Sequence, residues 1–169
     1  CPGTDGFVPA EGAAAMAISI EEKPGPRLVH YGCNSDACDP VGIPKDGGRT
    51  PDLFAAGGPT PAAICPHATG TAVQAMADPA ALGRAFPSEK PTLHLLKPYV
   101  GHTIGASGLL ESVILAGFLR GGTLPPNRSG AFAPDGFTLL ETETLASGAV
   151  SKLSHGMGGH NALLTMLPG

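Results

Sequence analysis

Tryptophan is absent from this sequence and aromatic residues make up only 5% of it, so the interior must be packed with Ala, Leu, Val and Ile. Charge is equally sparse: 14% of the residues are charged, and the ten Lys and Arg are scattered singly. With a formal net charge of −4 and no basic stripe, the chain has no electrostatic footprint for nucleic acid. The four cysteines, Cys1, Cys33, Cys38 and Cys65, form no C-x-x-C pair and no zinc spacing. That usage points to a reduced, cytoplasmic protein, a Cys33–Cys38 disulfide being the other reading. No signal peptide, lipidation motif or apolar run near the roughly 20 residues of a membrane span is read, so no membrane partner is expected. The chain does not begin with Met and reads like a piece of something longer.

What is present is the material of one folded domain. Hydrophobic residues reach 42% over 169 residues, enough for a real core. The 25 glycines and 18 prolines are not periodic, and apolar runs alternate with them, which predicts short elements joined by tight turns. Residues 13–20 and 27–33 read as strands flanking a charged turn. Residues 34–61 read as loop, with a helical turn at 51–56 stopped by Gly57-Gly58-Pro59. A brief apolar run at 62–65 leads into His67-Ala68-Thr69-Gly70-Thr71, and Asp78-Pro79 predicts a helix start running to about residue 85. Residues 92–96 read as a strand, 97–105 as a loop, and 106–119 as a helix apolar almost all round, hence buried on most sides. Glu111 is its only charge before Arg120, and Gly121-Gly122 ends it. Residues 149–153 and 162–167 read as two strands around the turn Gly156-Met157-Gly158-Gly159. Strands alternating with helices indicate a layered α/β fold.

Four of the six histidines stand beside glycines or at element junctions: His67, His102, His155 and His160. His30 and His94 lie inside strand candidates and read as packed core histidines. The segment from Lys97 to Thr103 leaves a strand and enters a helix N-terminus, where unpaired N–H groups favour developing negative charge. Lys97 and His102 there are suited to polarise a carbonyl or hold a carboxylate; a solvated lysine and a capping histidine are the bland alternative. There is no G-x-x-x-x-G-K-[ST] phosphate loop and no dinucleotide fingerprint, and Gly105-Ala106-Ser107-Gly108 lacks the second spacer of a nucleophile elbow. No H-E-x-x-H occurs, and no zinc site is expected from His67, His102 and His160. No metal and no cofactor is expected.

Taken together, these segments resemble the β-ketoacyl synthases of the thiolase-like superfamily. Asp5-Gly6-Phe7-Val8 with Glu11-Gly12-Ala13 is similar to that family's D-G-F-V-x-x-E-G-A segment. His67-x-Thr69-Gly70-Thr71 resembles its H-G-T-G-T motif, and Lys97-x-x-x-Gly101-His102-Thr103-x-Gly105-Ala106-x-Gly108 its K-x-x-x-G-H-x-x-G-A-A-G motif. Leu124-Pro125-Pro126-Asn127 matches its L-P-P-T/N turn, and Gly156-x-Gly158-Gly159-x-Asn161 its G-F-G-G-x-N turn. The resemblance implies a thiolase-like layered fold. Residues 1–33 would close the N-terminal half, and 34–169 would form a shortened C-terminal half.

The implied activity is decarboxylative condensation of malonyl and acyl thioesters in fatty-acid or polyketide synthesis. His67 and His102 would contact the malonyl thioester carbonyl, and Lys97 would organise the histidine side. The Met157 N–H, with Gly158, would form an oxyanion or gate turn; Thr69, Thr71 and Asn161 would support. The implied partners are an acyl carrier protein with its phosphopantetheine-linked groups, an N-terminal half or parent chain, and a second copy in a dimer. The nucleophilic cysteine of the family lies upstream of the D-G-F-V segment, so neither Cys1 nor Cys65 takes its place. Ala68 replaces a glycine, Ala81 stands where an acid is expected, a helix between 47 and 62 is largely missing, and Met157 replaces the usual phenylalanine. These departures keep a second reading open: a non-catalytic ketosynthase-like interaction subunit. An unrelated His/Ser hydrolase finds no nucleophile motif.

Overall fold

The computed structural model describes residues 6–128 and 133–169, so Cys1 and Asp5 lie outside the described residues. The elements run β1 (Arg27–Ser35), α1 (Thr50–Ala55), β2 (Ala63–Cys65), α2 (Ala72–Ala85), β3 (Thr92–Leu93), α3 (Lys97–Val100), α4 (Ser107–Gly121), β4 (Thr123–Leu124), β5 (Thr144–Leu145), β6 (Val150–Gly156) and β7 (His160–Leu167). Five strands make one sheet in the order β1-β7-β6-β2-β3, while β4 and β5 form a separate two-stranded ribbon. β2 runs parallel to both β3 and β6, whereas β7 is antiparallel to β6 and β1. The architecture is the expected layered α/β fold.

Strand alternation sorts the core into two layers. Ala63, Cys65, Val150 and Met166 face α4 and pack with Leu115 and Leu119. Ile64, Leu153 and Leu163 face the other way and pack with Leu53 of α1 and Leu82 of α2. Gly122, at φ +79°, closes α4 in a left-handed cap, as the Gly121-Gly122 pair predicts. The hairpin of β6 and β7 forms around Gly156–Gly159 as read.

Five expectations need correction. Residues 13–20 form no strand: Ile18 and Ile20 are exposed, and no neighbouring strand among the described residues offers a ladder. The helix read from Asp78 begins at Ala72, capped by the Thr71 hydroxyl, which accepts from the Gln74 N–H at 3.3 Å. Pro79 therefore lies inside α2 and Asp78 is no cap. The segment 97–105 is not all loop, since it holds α3 and a 3-10 turn at Ile104–Ala106, while the strand read at 92–96 shrinks to Thr92–Leu93. Lastly, α4 is not buried on most sides. Ile104–Gly121 is an 18-residue helical stretch of mean hydropathy 1.3, long and apolar enough by those measures to cross a membrane, yet only 28% of it is buried. The stripe of Ser107, Glu111, Ser112, Leu115 and Leu119 faces the sheet, and Leu109 on the opposite face is exposed.

Candidate active site

The carboxyl ends of the parallel strands β2, β3 and β6 open on the same edge of the sheet, the usual place for a ligand in an α/β fold. β2 delivers His67 two residues after its end, β3 leads through α3 to His102, and β6 carries His155. Three imidazoles consequently stand in a row. The rings of His102 and His67 are 5.4 Å apart between centroids, and those of His67 and His155 are 5.5 Å apart. Phe7 closes the outer end, its ring 5.0 Å from that of His102. Exposure falls along the row: His102 is half-buried, while His67 and His155 are buried.

His102 is held from both sides. Its N–H donates to the Val8 carbonyl at 2.8 Å, and its carbonyl accepts from the Ala10 N–H at 3.1 Å. That docking depends on Gly101 at φ +70°, where an added Cβ would come within 2.7 Å of the Ala10 Cβ. Residues 8–10 thus act as a strap over the histidine loop.

Beneath the row lies a buried ionic cluster. Lys97 Nζ contacts Glu111 Oε1 at 2.7 Å and Lys152 Nζ contacts Oε2 at 2.9 Å. Burial pushes the Glu111 carboxyl up, but Lys152 and Lys97 outweigh it and hold the pKa down at about 2, so the group is ionised. Ser107 Oγ donates to Oε1 at 2.7 Å and lies 3.2 Å from His102 Nδ1. While Ser107 spends its one hydrogen on the carboxylate, it can only accept from His102 Nδ1–H, leaving Nε2 bare. Turning that hydrogen onto Nδ1 exchanges the tautomer and makes Nε2 a donor, with Lys97 still on Oε1. Lys97 is therefore no solvated lysine, and its partner, one turn into α4, is the lone acid of an apolar helix.

Burial lowers the pKa of His67 far below the ordinary histidine value, and the ammonium groups of Lys97 and Lys152 add to it. Burial and Lys97 also lower that of His102. Both rings are neutral near pH 7. His67 Nδ1 is enclosed without a hydrogen-bond partner among the described residues, which favours the neutral tautomer with its hydrogen on Nε2. Behind it, His155 Nδ1 meets Gln74 Nε2 at 2.8 Å and its Nε2 meets Thr50 Oγ1 at 3.1 Å.

Asp78 corrects the expectation that Ala81 leaves this region without its acid. Its Oδ2 accepts from the Ala68 N–H at 2.7 Å, its Oδ1 accepts from Gln74 Nε2 at 2.6 Å, and His155 Nδ1 is 3.5 Å away. The strap on the histidine turn is therefore a carboxylate one helical turn earlier than read. Ala68 itself sits at φ +42°, the left-handed region that disfavours a side chain. Ala68→Gly should raise stability by about 1 kcal/mol by releasing that strain. Thermal unfolding at neutral pH checks it, and a lowered midpoint would show the turn to be unstrained.

The remaining read residues take other places. Thr69 and Thr71 share a hydroxyl contact at 3.2 Å, and Thr71 caps α2. Met157 is exposed at the hairpin turn, followed by Gly158 at φ +80°. Asn161 is buried and ties the hairpin to Asn34 and Asp36, both at 3.0 Å. His160, considered with the zinc alternative, is exposed, whereas His155 occupies the row. His94 is fully buried, as read, its Nε2 3.1 Å from the Pro125 carbonyl. Cys65 lies below the cluster, its thiol donating to Glu111 Oε2 at 3.5 Å, and burial pushes its pKa up to about 12. Cys33 and Cys38 are free, exposed thiols.

A family model described as the beta-ketoacyl synthase C-terminal domain matches residues 62–131, the stretch containing His67, Lys97 and His102. The 3-oxoacyl-[acyl-carrier-protein] synthase 2 of Mycobacterium leprae (strain TN) is 30% identical over 136 residues, 72% of this chain and 32% of that protein. The corresponding synthase 1 of Escherichia coli (strain K12) is 29% identical over 175 residues, 96% of this chain and 43% of that protein. Among solved structures, a ketosynthase in complex with its chain length factor from Xenorhabdus doucetiae gives a TM-score of 0.74 at 24% identity, over 88% of this chain and 40% of that one. A type II polyketide synthase acyl-carrier protein in complex with its ketosynthase gives 0.73 at 19% identity, over 84% and 38%. The chain thus spans about a third of the length of its mycobacterial relative. Motifs, sheet topology and these likenesses agree: the chain belongs to the β-ketoacyl synthases, with a thiolase-like fold, and corresponds to their C-terminal portion.

Proposed function

We propose that this chain forms the malonyl-handling side of a condensing enzyme that joins malonyl and acyl thioesters in fatty-acid or polyketide synthesis. The observation that carries the reading is the pair of neutral imidazoles, His67 and His102, standing 5.4 Å apart above a buried Lys97–Glu111 ion pair. When malonyl thioester loses carbon dioxide, the electrons of the broken C–C bond move into an enolate whose negative charge collects on the thioester oxygen. Nε2–H groups of the two histidines donate to that oxygen; for His102 this is the form in which Ser107 turns its hydrogen to Nδ1. Fixed donors aimed at charge that develops only during reaction act on the barrier rather than on substrate binding. The enolate carbon then attacks the acyl thioester on a cysteine, forming a C–C bond and releasing the thiolate. The Met157 N–H, in the turn after β6, would serve the oxyanion of that second step.

That cysteine comes from an N-terminal part of the enzyme. Cys65 does not qualify, because a thiol held near pKa 12 supplies almost no thiolate at neutral pH. The open apolar side of α4 and the exposed Phe7, Val8, Ile18 and Ile20 suit a covering partner of that kind. The substrates would arrive on the phosphopantetheine arm of an acyl carrier protein, the partner seen in one of the similar ketosynthase structures. A dimer, as in the family, is the working assembly in this reading. The second reading, a non-catalytic subunit, draws support from the strained Ala68 and the six-residue α1.

The test incubates the intact protein with acyl- and malonyl-loaded carrier protein and follows adduct and product by mass spectrometry. A β-ketoacyl product with the acyl adduct on a cysteine outside residues 1–169 supports the proposal. An adduct on Cys65 overturns the placing of the nucleophile, and absence of both adduct and product favours the non-catalytic subunit.

A further inference from the structure

The chemistry above uses Lys97 and leaves Lys152 unassigned. Its side chain is 2% exposed, on the face of β6 that looks toward α4, directly beside Cys65 in the parallel ladder. An ammonium has three hydrogens, and here each meets an oxygen: Glu111 Oε2 at 2.9 Å, the Pro66 carbonyl at 3.3 Å and the Leu153 carbonyl at 2.5 Å. A carboxylate and two carbonyls are the hard donor set that a desolvated cation takes. One lysine would suffice to neutralise Glu111, yet two share it, and the excess ammonium has only the more distant Asp78 carboxylate as a further counter-charge. Burying that excess is costly and is not explained by pairing alone.

We propose that Lys152 is a tethered cation, its ammonium filling an all-oxygen site that would otherwise hold a free monovalent ion such as potassium or ammonium. Through the Pro66 carbonyl it fixes the backbone immediately before His67, which makes it a positioning residue. That consequence for catalysis rests on the function proposed above; the cation site itself rests on the geometry alone. Burial works against the charge on Lys152, but the Glu111 carboxylate at 2.9 Å favours it and its pKa lies above the ordinary lysine value, so the site holds its cation at neutral pH.

Lys152→Ser opens the site to a free ion, and Lys152→Met fills it without charge. Each is made in the intact protein and studied in potassium, ammonium or tetramethylammonium chloride at equal ionic strength. The thermal midpoint of Lys152→Ser should be about 5 °C higher in potassium or ammonium than in tetramethylammonium, which is too large to enter. Wild type and Lys152→Met should show no such difference. Decarboxylation of malonyl-carrier protein should fall about tenfold in both variants and recover in Lys152→Ser alone, with the same two salts. An equal response of Lys152→Ser to all three salts overturns the tethered cation, as does full activity in Lys152→Met. Should Lys152→Ser not fold in tetramethylammonium, the proposal requires folding to return in potassium or ammonium, and failure in all three overturns it. Wild type unable to decarboxylate would remove the proposed function, while the salt dependence of the midpoint would still decide the site.

Discussion

Glu111→Ala should cost the intact protein about 3–5 kcal/mol of stability, the largest loss expected from any single change in this chain. The residue is fully buried, and its two oxygens hold Lys97, Lys152, Ser107 and the Cys65 thiol. Removing it leaves two ammonium groups facing one another with no counter-charge, in a site too enclosed for water to replace it. Against a total stability of roughly 5–15 kcal/mol, such a loss brings the protein close to unfolding at ordinary temperatures. Glu111→Gln keeps the shape and one acceptor oxygen, so it should lie between alanine and wild type. Adding Lys152→Met to Glu111→Ala should recover part of the loss, because one of the stranded charges is gone. Denaturant unfolding of the four proteins measures all of this, and a Glu111→Ala midpoint equal to wild type would mean the cluster is not closed to solvent.

The largest effect on chemistry should come from the histidine pair. His67→Ala and His102→Ala should each lower malonyl decarboxylation by about 10²–10³-fold, the usual cost of one oxyanion donor. Neither should prevent acylation of the nucleophilic cysteine, which precedes their work. The double variant should fall short of the product of the single losses, since both act on one oxygen. His67→Gln retains an N–H donor and should keep more activity than the alanine variant. Decarboxylation untouched in either alanine variant would remove that histidine from the step.

Much of this site was legible in short stretches of sequence, and the reason is local. His67, Lys97 and His102 sit in turns whose glycines and motif spacing are recognisable without knowing what lies opposite. The β6–β7 hairpin and the Gly122 cap were equally readable, because turn chemistry acts within a few residues. The partners that set the site's electrostatics were not, since they meet only when the sheet forms. Lys152 reaches Glu111 across the layer between β6 and α4, and His155 joins the row from a strand some 90 positions after His67 in the roughest count along the chain. One signal for Glu111 lay in the sequence: a lone carboxylate in an otherwise apolar helix needs a buried cation. Asp78 misled for a physical reason. Asp-Pro is a strong helix start in isolation, but Thr71 caps earlier and α2 tolerates Pro79 in its interior. The strand read at residues 13–20 misled differently, because a strand is a property of a pair.

The three described thiols differ in access in a way that bears on how the nucleophile of the proposed enzyme can be counted. Cys33 and Cys38 are exposed, whereas Cys65 is wholly enclosed and its thiol is held protonated. A haloacetamide titration of the intact protein would therefore report surface alkylation at Cys33 and Cys38 alongside any catalytic thiolate, and would miss Cys65 until the protein unfolds. Labelling stoichiometry taken alone would overcount active sites. Cys33→Ser with Cys38→Ser removes these two thiols from the count.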